Sequence, residues 1–163
     1  MIPDIETILE AKRLAVRNKS LSSIMFRISQ VSRIQKYYPF DTGKLERAYA
    51  KEAKLLYPQV ESGNLARKDV RKAIRKVMRN AEVPCGIAQK PINVLLKYYA
   101  FARAPAIVLK ELDCPIDSKV RNAHKEFREW AIPLYKMDFT LYKKWQDFFW
   151  ENYGARILAD VYE

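Results

Sequence analysis

The fold of this chain is decided most clearly by one stretch, which reads Leu65-Ala66-Arg67-Lys68-Asp69-Val70-Arg71-Lys72-Ala73-Ile74-Arg75-Lys76-Val77-Met78-Arg79. Its apolar residues Val70, Ala73, Ile74 and Val77 recur at intervals of three and four. That interval matches the turn of an α-helix, about 3.6 residues, so the stretch is expected to be a helix with one apolar face. The alternation of apolar and polar residues that favours a β-strand is missing from it.

The same period extends in both directions from this stretch. Glycine is scarce, with 4 residues in 163, and β-branched alternation is nearly absent. The pattern predicts helical segments at residues 5–16, 21–34, 41–58, 64–83, 91–103, 106–112, 113–130 and 133–153, the last broken near its end by Gly154. We therefore predict an all-α fold, a compact bundle of about eight or nine helices. Without a linker rich in proline, glycine or serine, a single domain over residues 1–163 is expected, with two helical lobes, about 1–82 and 83–163, as the alternative.

Composition limits the class of protein. The chain has 30 Lys and Arg against 19 Asp and Glu, a formal net charge of +11, and 49% of its residues are hydrophobic. The hydrophobic content excludes a disordered basic tail, and the positive charge favours a polyanionic partner such as nucleic acid. Two cysteines and one histidine are too few for a disulfide framework, an iron–sulfur cluster or a thiolate zinc site. Neither a metal nor a cofactor is therefore expected.

The chain carries no sign of a membrane or export segment. No apolar run approaches the length of a membrane span, and Met1-Ile2-Pro3-Asp4 reaches an acidic residue before any apolar stretch. We expect a cytoplasmic protein without a membrane partner, associated with the nucleoid if it binds DNA.

A row of cations, here called the basic row, runs along the quoted helix. Its members are Arg67, Lys68, Arg71, Lys72, Arg75, Lys76 and Arg79. Steps of four residues keep them on one side of the helix, opposite the apolar face, and only Asp69 interrupts them. Because like charges at this spacing repel each other, the row favours a bound polyanion such as a phosphate backbone. A solvated face on a basic protein is the alternative interpretation.

A second stretch, Val83 to Leu95, is predicted to join two helical segments by a tight turn. Gly86 permits backbone geometry that bulkier residues resist, and the free N–H groups that begin the next helix favour phosphate binding. Lys90 is expected in the first turn of that helix, where the helix dipole lowers the pKa of its amine and leaves more neutral amine for chemistry. A surface lysine beside a helix start is the alternative.

Two motifs resemble parts of the helix-hairpin-helix DNA glycosylases: Gly86-Ile87-Ala88-Gln89-Lys90-Pro91-Ile92-Asn93-Val94-Leu95-Leu96 and Cys114-Pro115-Ile116-Asp117-Ser118-Lys119-Val120. The first is similar to the hairpin of that family and the second to the motif that carries its aspartate. The resemblance implies a helix-hairpin-helix turn in the bundle, with Gly86, Ala88 and Gln89 contacting DNA phosphate. It also implies that Lys90 forms a Schiff base, as in the bifunctional members, and that Asp117 stabilises the sugar cation.

The two motifs together also resemble a pattern in uncharacterised prokaryotic proteins. The pattern is Gly-x-Ala-Gln-Lys-x-x-Asn-x-x-Leu-Lys-Tyr followed by Cys-Pro-x-Asp, and it is formed here by Gly86, Ala88, Gln89, Lys90, Asn93, Leu96, Lys97, Tyr98, Cys114, Pro115 and Asp117. This likeness implies that the two motifs belong together, and it implies no activity.

The C-terminal stretch mixes aromatic rings with lysines. The rings are Tyr135, Phe139, Tyr142, Trp145, Phe148, Phe149, Trp150 and Tyr153, with Lys136, Lys143 and Lys144 between them. Grooves that bind nucleic acid combine rings and cations in this way, although core packing is the default interpretation of such a pattern.

These observations predict a nucleic-acid-binding protein, with DNA as the expected partner. The first hypothesis is a DNA repair glycosylase with lyase activity at abasic sites, which uses Lys90 and Asp117. The second is a non-enzymatic structural or architectural DNA-binding protein, or a helical subunit of a nucleic-acid complex. The third is a module whose basic surface binds an acidic protein partner.

Overall fold

The computed structural model describes residues 21–103, 110–124, 132–154 and 156. Over these residues the chain is helical without a β-strand, which confirms the predicted all-α class there. The α-helices are α1 (Leu21–Ile28), α2 (Thr42–Ser62), α3 (Arg67–Ala81), α4 (Cys85–Arg103), α5 (Ser118–Ala123) and α6 (Phe139–Tyr153), and Val31–Lys36 and Leu134–Lys136 form 3-10 helices. The helix predicted at residues 5–16 lies outside the described residues, as do most of the one at 106–112 and the last third of the one at 113–130.

Capping residues set the ends of two long helices. Asp41 starts α2 by accepting a hydrogen bond from the Lys44 N–H at 2.9 Å, and Asp138 starts α6 in the same way. Gly63 and Gly154, with φ values of 75° and 69°, end these helices in the left-handed conformation. The predicted start at Asp41 and the predicted break at Gly154 are both confirmed.

α4 is the central helix and packs against α1, α2, α3, α6 and both 3-10 helices. From Cys85 to Tyr99 only Lys90 and Tyr98 are partly exposed, and the other side chains are buried. This burial on nearly all sides agrees with a position inside the bundle. The buried apolar side chains of the described residues form one cluster that extends from Met25 to Phe149. None of the described helices is long and apolar enough to cross a membrane.

The turn between α3 and α4 lies at Glu82 to Pro84, earlier than the sequence predicted, and the stretch around Gly86 is helical. The left-handed residue that ends α3 is Glu82, with φ of 56°, and α4 then runs without a turn from Cys85 through Pro91. Gly86 is required for packing, because a Cβ at this position would overlap the Leu134 carbonyl oxygen. Its missing side chain therefore allows α4 to lie against the second 3-10 helix.

Residues 112–117 are not helical, whereas the sequence predicted a helix beginning at Asp113. Two buried glutamine side chains hold this segment, here called the clamped segment. Gln89 of α4 donates to the Ile116 carbonyl at 2.8 Å and accepts from the Ile116 N–H at 3.2 Å. Gln146 of α6 makes the same pair of bonds to Cys114, both at 2.8 Å. Because side-chain amides satisfy these buried backbone groups, the segment needs no helical partners before α5.

Asp113, at the start of the clamped segment, organises a buried polar network. Its carboxylate accepts hydrogen bonds from Arg156 Nε at 2.7 Å, from Arg71 Nε at 3.2 Å and from the Tyr142 hydroxyl at 2.7 Å. The Tyr142 hydroxyl in turn accepts from Asn93 of α4 at 2.9 Å. Burial and the neighbouring carboxylate raise the pKa of Tyr142, which keeps its hydroxyl a donor. The network links α3, α4 and α6 to the clamped segment.

Candidate nucleic-acid interface

Two ion pairs divide the basic row on α3. Arg71 Nε lies 3.2 Å from the buried Asp113 carboxylate, and Lys76 Nζ lies 3.6 Å from the buried Glu52 carboxylate. A buried carboxylate that loses its cation is strongly destabilising, so these two members hold the helix in place. The remaining members, Arg67, Lys68, Lys72, Arg75 and Arg79, are exposed and can contact a ligand.

The first of three surface depressions, here called the α3–α6 cleft, has a volume of about 470 Å³. Its described lining is Ala66, Arg67, Lys68, Arg71, Arg75, Glu111, Phe139 and Lys143. The guanidinium carbon of Arg75 lies 4.3 Å from the centre of the Phe139 ring, and Lys143 Nζ lies 5.9 Å from it. The ring therefore orients two cations at the cleft by cation–π attraction. The one acid in the described lining, Glu111, accepts the Arg67 N–H at 2.8 Å.

The second depression shares Arg75 with the cleft and has a volume of about 570 Å³. Tyr38, Arg79 and Glu82 are among its lining residues. The Glu82 carboxylate is paired with Lys44, whose hydrogen bond and charge lower the pKa of that carboxyl. The acid is thus offset by a cation of its own, and the positive charge of Arg75 and Arg79 prevails.

The third depression, here called the Lys90 pocket, has a volume of about 440 Å³. Its described lining is Gln30, Arg33, Ile34, Tyr37, Lys90, Ser118, Arg121, Pro133, Leu134 and Tyr135, and none of these is acidic. Tyr135 stacks on Tyr38 of the second depression, with ring centres 5.9 Å apart and planes 15° apart. The three depressions are therefore linked through Arg75 and through this pair of rings, and their lining residues together are here called the basic track.

Lys90 is partly buried in the wall of its pocket. Burial lowers the pKa of its amine, Asp117 opposes that effect, and Arg33 and Arg121 add to it. The direction of the shift agrees with the sequence prediction, but the cause differs. Lys90 is the sixth residue of α4 and not part of its first turn, so burial is the main cause and not the helix dipole.

Asp117 is the last residue of the clamped segment, and its charge acts on residues of the Lys90 pocket. Its Oδ1 accepts the N–H groups of Lys119 at 2.9 Å and Val120 at 3.0 Å, and so caps α5. Its charge acts on both Lys90 and Arg121, although it is not among the described lining residues of the pocket. The charge of Asp117 therefore acts on Lys90, the other predicted catalytic residue, and one carboxylate oxygen of Asp117 already has a capping role.

The predicted phosphate contacts of the hairpin do not fit the folded chain. The Gly86 N–H donates to the Met137 carbonyl and the Ala88 N–H to the Pro84 carbonyl, both at 3.1 Å. Gly86, Ala88 and Gln89 are all buried, and the Gln89 amide is bonded to the clamped segment. Their donors are used inside the bundle and are closed to solvent, so the described structure does not offer them to a phosphate.

Other residues of the basic track are not marked by any motif. Arg33, Tyr37 and Tyr38 follow α1, and Arg121 lies in α5, where its guanidinium donates to the Ile132 carbonyl. No regular spacing in the sequence relates these positions to Lys90. The mixture of rings and lysines in the C-terminal stretch did indicate part of this surface, since Tyr135, Phe139 and Lys143 are among the lining residues of the track.

The described residues include no group of three or more His, Cys, Asp and Glu side chains placed to hold a metal ion. No family model matches the chain, and neither a curated protein nor a solved structure matches it.

Proposed function

We propose that this protein binds nucleic acid, with DNA as its partner, by holding the phosphate backbone along the basic track. One observation carries the proposal: the three depressions adjoin one another through Arg75 and through the stacked Tyr38 and Tyr135. A linear polyanion can extend along a row of linked depressions, whereas a small anion would need a single pocket. The net charge of +11 supports the same class of partner.

The composition of the track favours phosphate over an acidic protein surface. Arginines supply most of its cations, and the planar guanidinium matches the two oxygens of a phosphate. Arg75 and Lys143 are oriented in advance by Phe139, which reduces the entropy lost on binding. In this function the chain is a structural or architectural DNA-binding protein, or a helical subunit of a nucleic-acid complex.

The test is the salt dependence of binding to a fluorescent DNA oligomer, followed by anisotropy. Each phosphate contact contributes about 0.9, or about 0.7 on a single strand, to the slope of log affinity against log salt. Lys68→Ala should lower the slope by about one contact, because Lys68 is exposed in the α3–α6 cleft. Lys54→Ala is the matched control, since Lys54 is equally exposed on α2 and is not among the lining residues of the track. Equal slopes for the two variants would exclude the track as the binding surface.

Lys90 supports a second candidate function, the glycosylase and abasic-site lyase chemistry. Lys90 is half-buried in a cationic pocket, its pKa is lowered, and the charge of Asp117 acts on it. These properties are those of an amine nucleophile. Its amine would add to C1′ of a ring-opened abasic sugar, and loss of water would give an imine. Asp117 would stabilise the positive charge that develops on the sugar as a base departs.

Borohydride trapping on duplex DNA with an abasic site or an oxidised guanine tests this candidate. The reagent reduces the imine to a stable amine, so a covalent adduct is expected for the native chain and not for Lys90→Ala. Lys119→Ala, at an exposed lysine of α5, is the matched control. Asp117→Asn should slow trapping without unfolding the chain, because asparagine caps a helix about as well as aspartate. DNA binding without an adduct would leave the non-enzymatic function.

A further inference from the structure

The aromatic rings of the basic track are not equivalent. Phe139 is in contact with two cations, Arg75 and Lys143, and Tyr38 and Tyr135 stack on each other. Tyr37 differs from these, because it is 72% exposed and its ring contacts none of the other described rings. It nevertheless lines the Lys90 pocket, beside Arg33, and has an open face toward solvent.

An exposed ring in a cationic pocket has a specific use in nucleic-acid recognition. Bases in a duplex are stacked on one another, so their faces are not available to a protein ring. Bases of a single strand are available, and stacking one on an aromatic side chain is worth a measurable part of the affinity for any base. The cations around the ring supply the phosphate contacts that such a site also needs.

We propose that the Lys90 pocket receives an unpaired nucleotide, whose base stacks on Tyr37 and whose phosphate lies against Arg33 and Lys90. This inference rests on the proposed DNA-binding function, and it specifies single-stranded DNA as the preferred ligand. The volume of about 440 Å³ is within the range of pockets that hold small organic ligands, about 300–1,000 Å³. The α3–α6 cleft, where the ring is already in contact with cations, then serves the phosphates of the same strand.

The cations of the pocket come from different elements of the fold. Arg33 belongs to the first 3-10 helix, Lys90 to α4 and Arg121 to α5. The Arg121 side chain also bonds to the carbonyls of Asp117 and Ile132 and so fastens one wall of the pocket. The Arg121 charge is therefore in place before the ligand arrives, which favours binding.

The test compares three fluorescent probes of equal length: an oligothymidylate, a blunt duplex, and a strand of abasic spacers that keeps the phosphates but lacks bases. The native chain should bind the oligothymidylate more tightly than the other two at the same salt concentration. Tyr37→Ala should weaken binding to the oligothymidylate by about tenfold and leave the other two affinities unchanged. Tyr37→Phe is the matched control and should bind like the native chain, because it retains the ring. Tyr37 is exposed, so neither substitution removes core packing.

The outcomes separate this inference from the proposed function. If all probes bind in a salt-dependent way and Tyr37→Ala changes none of the affinities, the stacking site is overturned and DNA binding along the track is kept. A preference for the duplex would overturn the inference in the same way. A lack of salt-dependent binding to every probe would overturn both.

Discussion

Gly86 is the residue on which the packing of α4 depends most directly. Its N–H donates to the Met137 carbonyl, and its Cα lies where any side chain would meet the Leu134 backbone. Gly86→Ala should therefore destabilise the chain by about 3 kcal/mol or more, because a backbone carbonyl cannot move aside as a flexible side chain can. Thermal unfolding followed by circular dichroism measures the loss.

Gly43→Ala is the matched control for this substitution. Gly43 also lies in a helix, but its Cβ would approach only the side-chain ends of Arg47 and Asp41, at 3.3 Å. The Arg47 end can shift, but the Asp41 oxygen also accepts the Lys44 N–H that begins α2, so this variant should lose at most about 1 kcal/mol. Similar melting temperatures for the two variants would contradict the close approach at Gly86.

Lys90 should make the stability of the protein depend on pH. Burial lowers the pKa of its amine below the ordinary value of 10.5, so the unfolded chain holds this proton more tightly than the folded chain does. Stability therefore increases with pH between the lowered pKa and 10.5. Lys90→Met should raise the free energy of unfolding at neutral pH, and that gain should shrink as the pH approaches 10.5. Urea unfolding of both proteins at several pH values measures this, and a pH-independent difference would refute it.

The pocket around Lys90 shows which of its residues could be predicted from the sequence and which could not. The sequence singled out Lys90 and Asp117, and the fold brings them close enough for their charges to interact. Arg33 and Tyr37 carried no such signal, since they stand more than fifty positions before Lys90 in a segment without a motif. Only tertiary packing of the first 3-10 helix against α4 places them at the pocket.

The clamped segment depends on side-chain amides that come from two different helices. Gln146→Met keeps the length of the side chain and removes both hydrogen bonds to Cys114, whose N–H and carbonyl are buried. An unsatisfied buried group costs about 1–3 kcal/mol, so a loss of at least about 2 kcal/mol is expected for the two. Urea unfolding measures it.

A control for this variant is available on the surface. Gln35→Met removes a side-chain bond to the Phe40 carbonyl at an exposed site, where water replaces the lost partner. Its effect should remain below about 0.5 kcal/mol. If Gln146→Met were equally mild, the amide pairs would not be what holds residues 112–117.

The two motifs illustrate which features of the elements were predictable. Their likeness to a single pattern implied that they belong together, and in the fold Gln89 of the first motif bonds to Ile116 of the second. The local conformation was predicted wrongly in the first part of each motif, before Pro91 and before Ser118. Gly86 and Pro91 are residues that favour turns, yet burial of α4 on all sides overrides that preference. Asp113 and Pro115 are typical of a helix start, but Gln89 and Gln146 hold this segment in a non-helical conformation, and the helix begins after Asp117.

Over the whole molecule, charge acts in two ways that can be separated. The net charge of +11 attracts DNA from a distance, whereas the basic track determines which cations stay in contact with it. The double variant Lys68→Gln with Arg79→Gln lowers the net charge by two within the track. The double variant Lys51→Gln with Lys54→Gln lowers it equally on exposed positions of α2 that are not among the lining residues of the track.

Both double variants should therefore slow association with single-stranded DNA to a similar degree, because long-range attraction depends on total charge. Only the variant in the track should dissociate faster, by about tenfold or more, since charge-assisted hydrogen bonds contribute about 1.5–3 kcal/mol each. Stopped-flow fluorescence at low salt measures both rate constants. Raising the salt should first remove the slower association of both variants relative to the native chain, because distant charges are screened before contacts are broken. Faster dissociation of the α2 variant would show that DNA lies across α2 and not along the track.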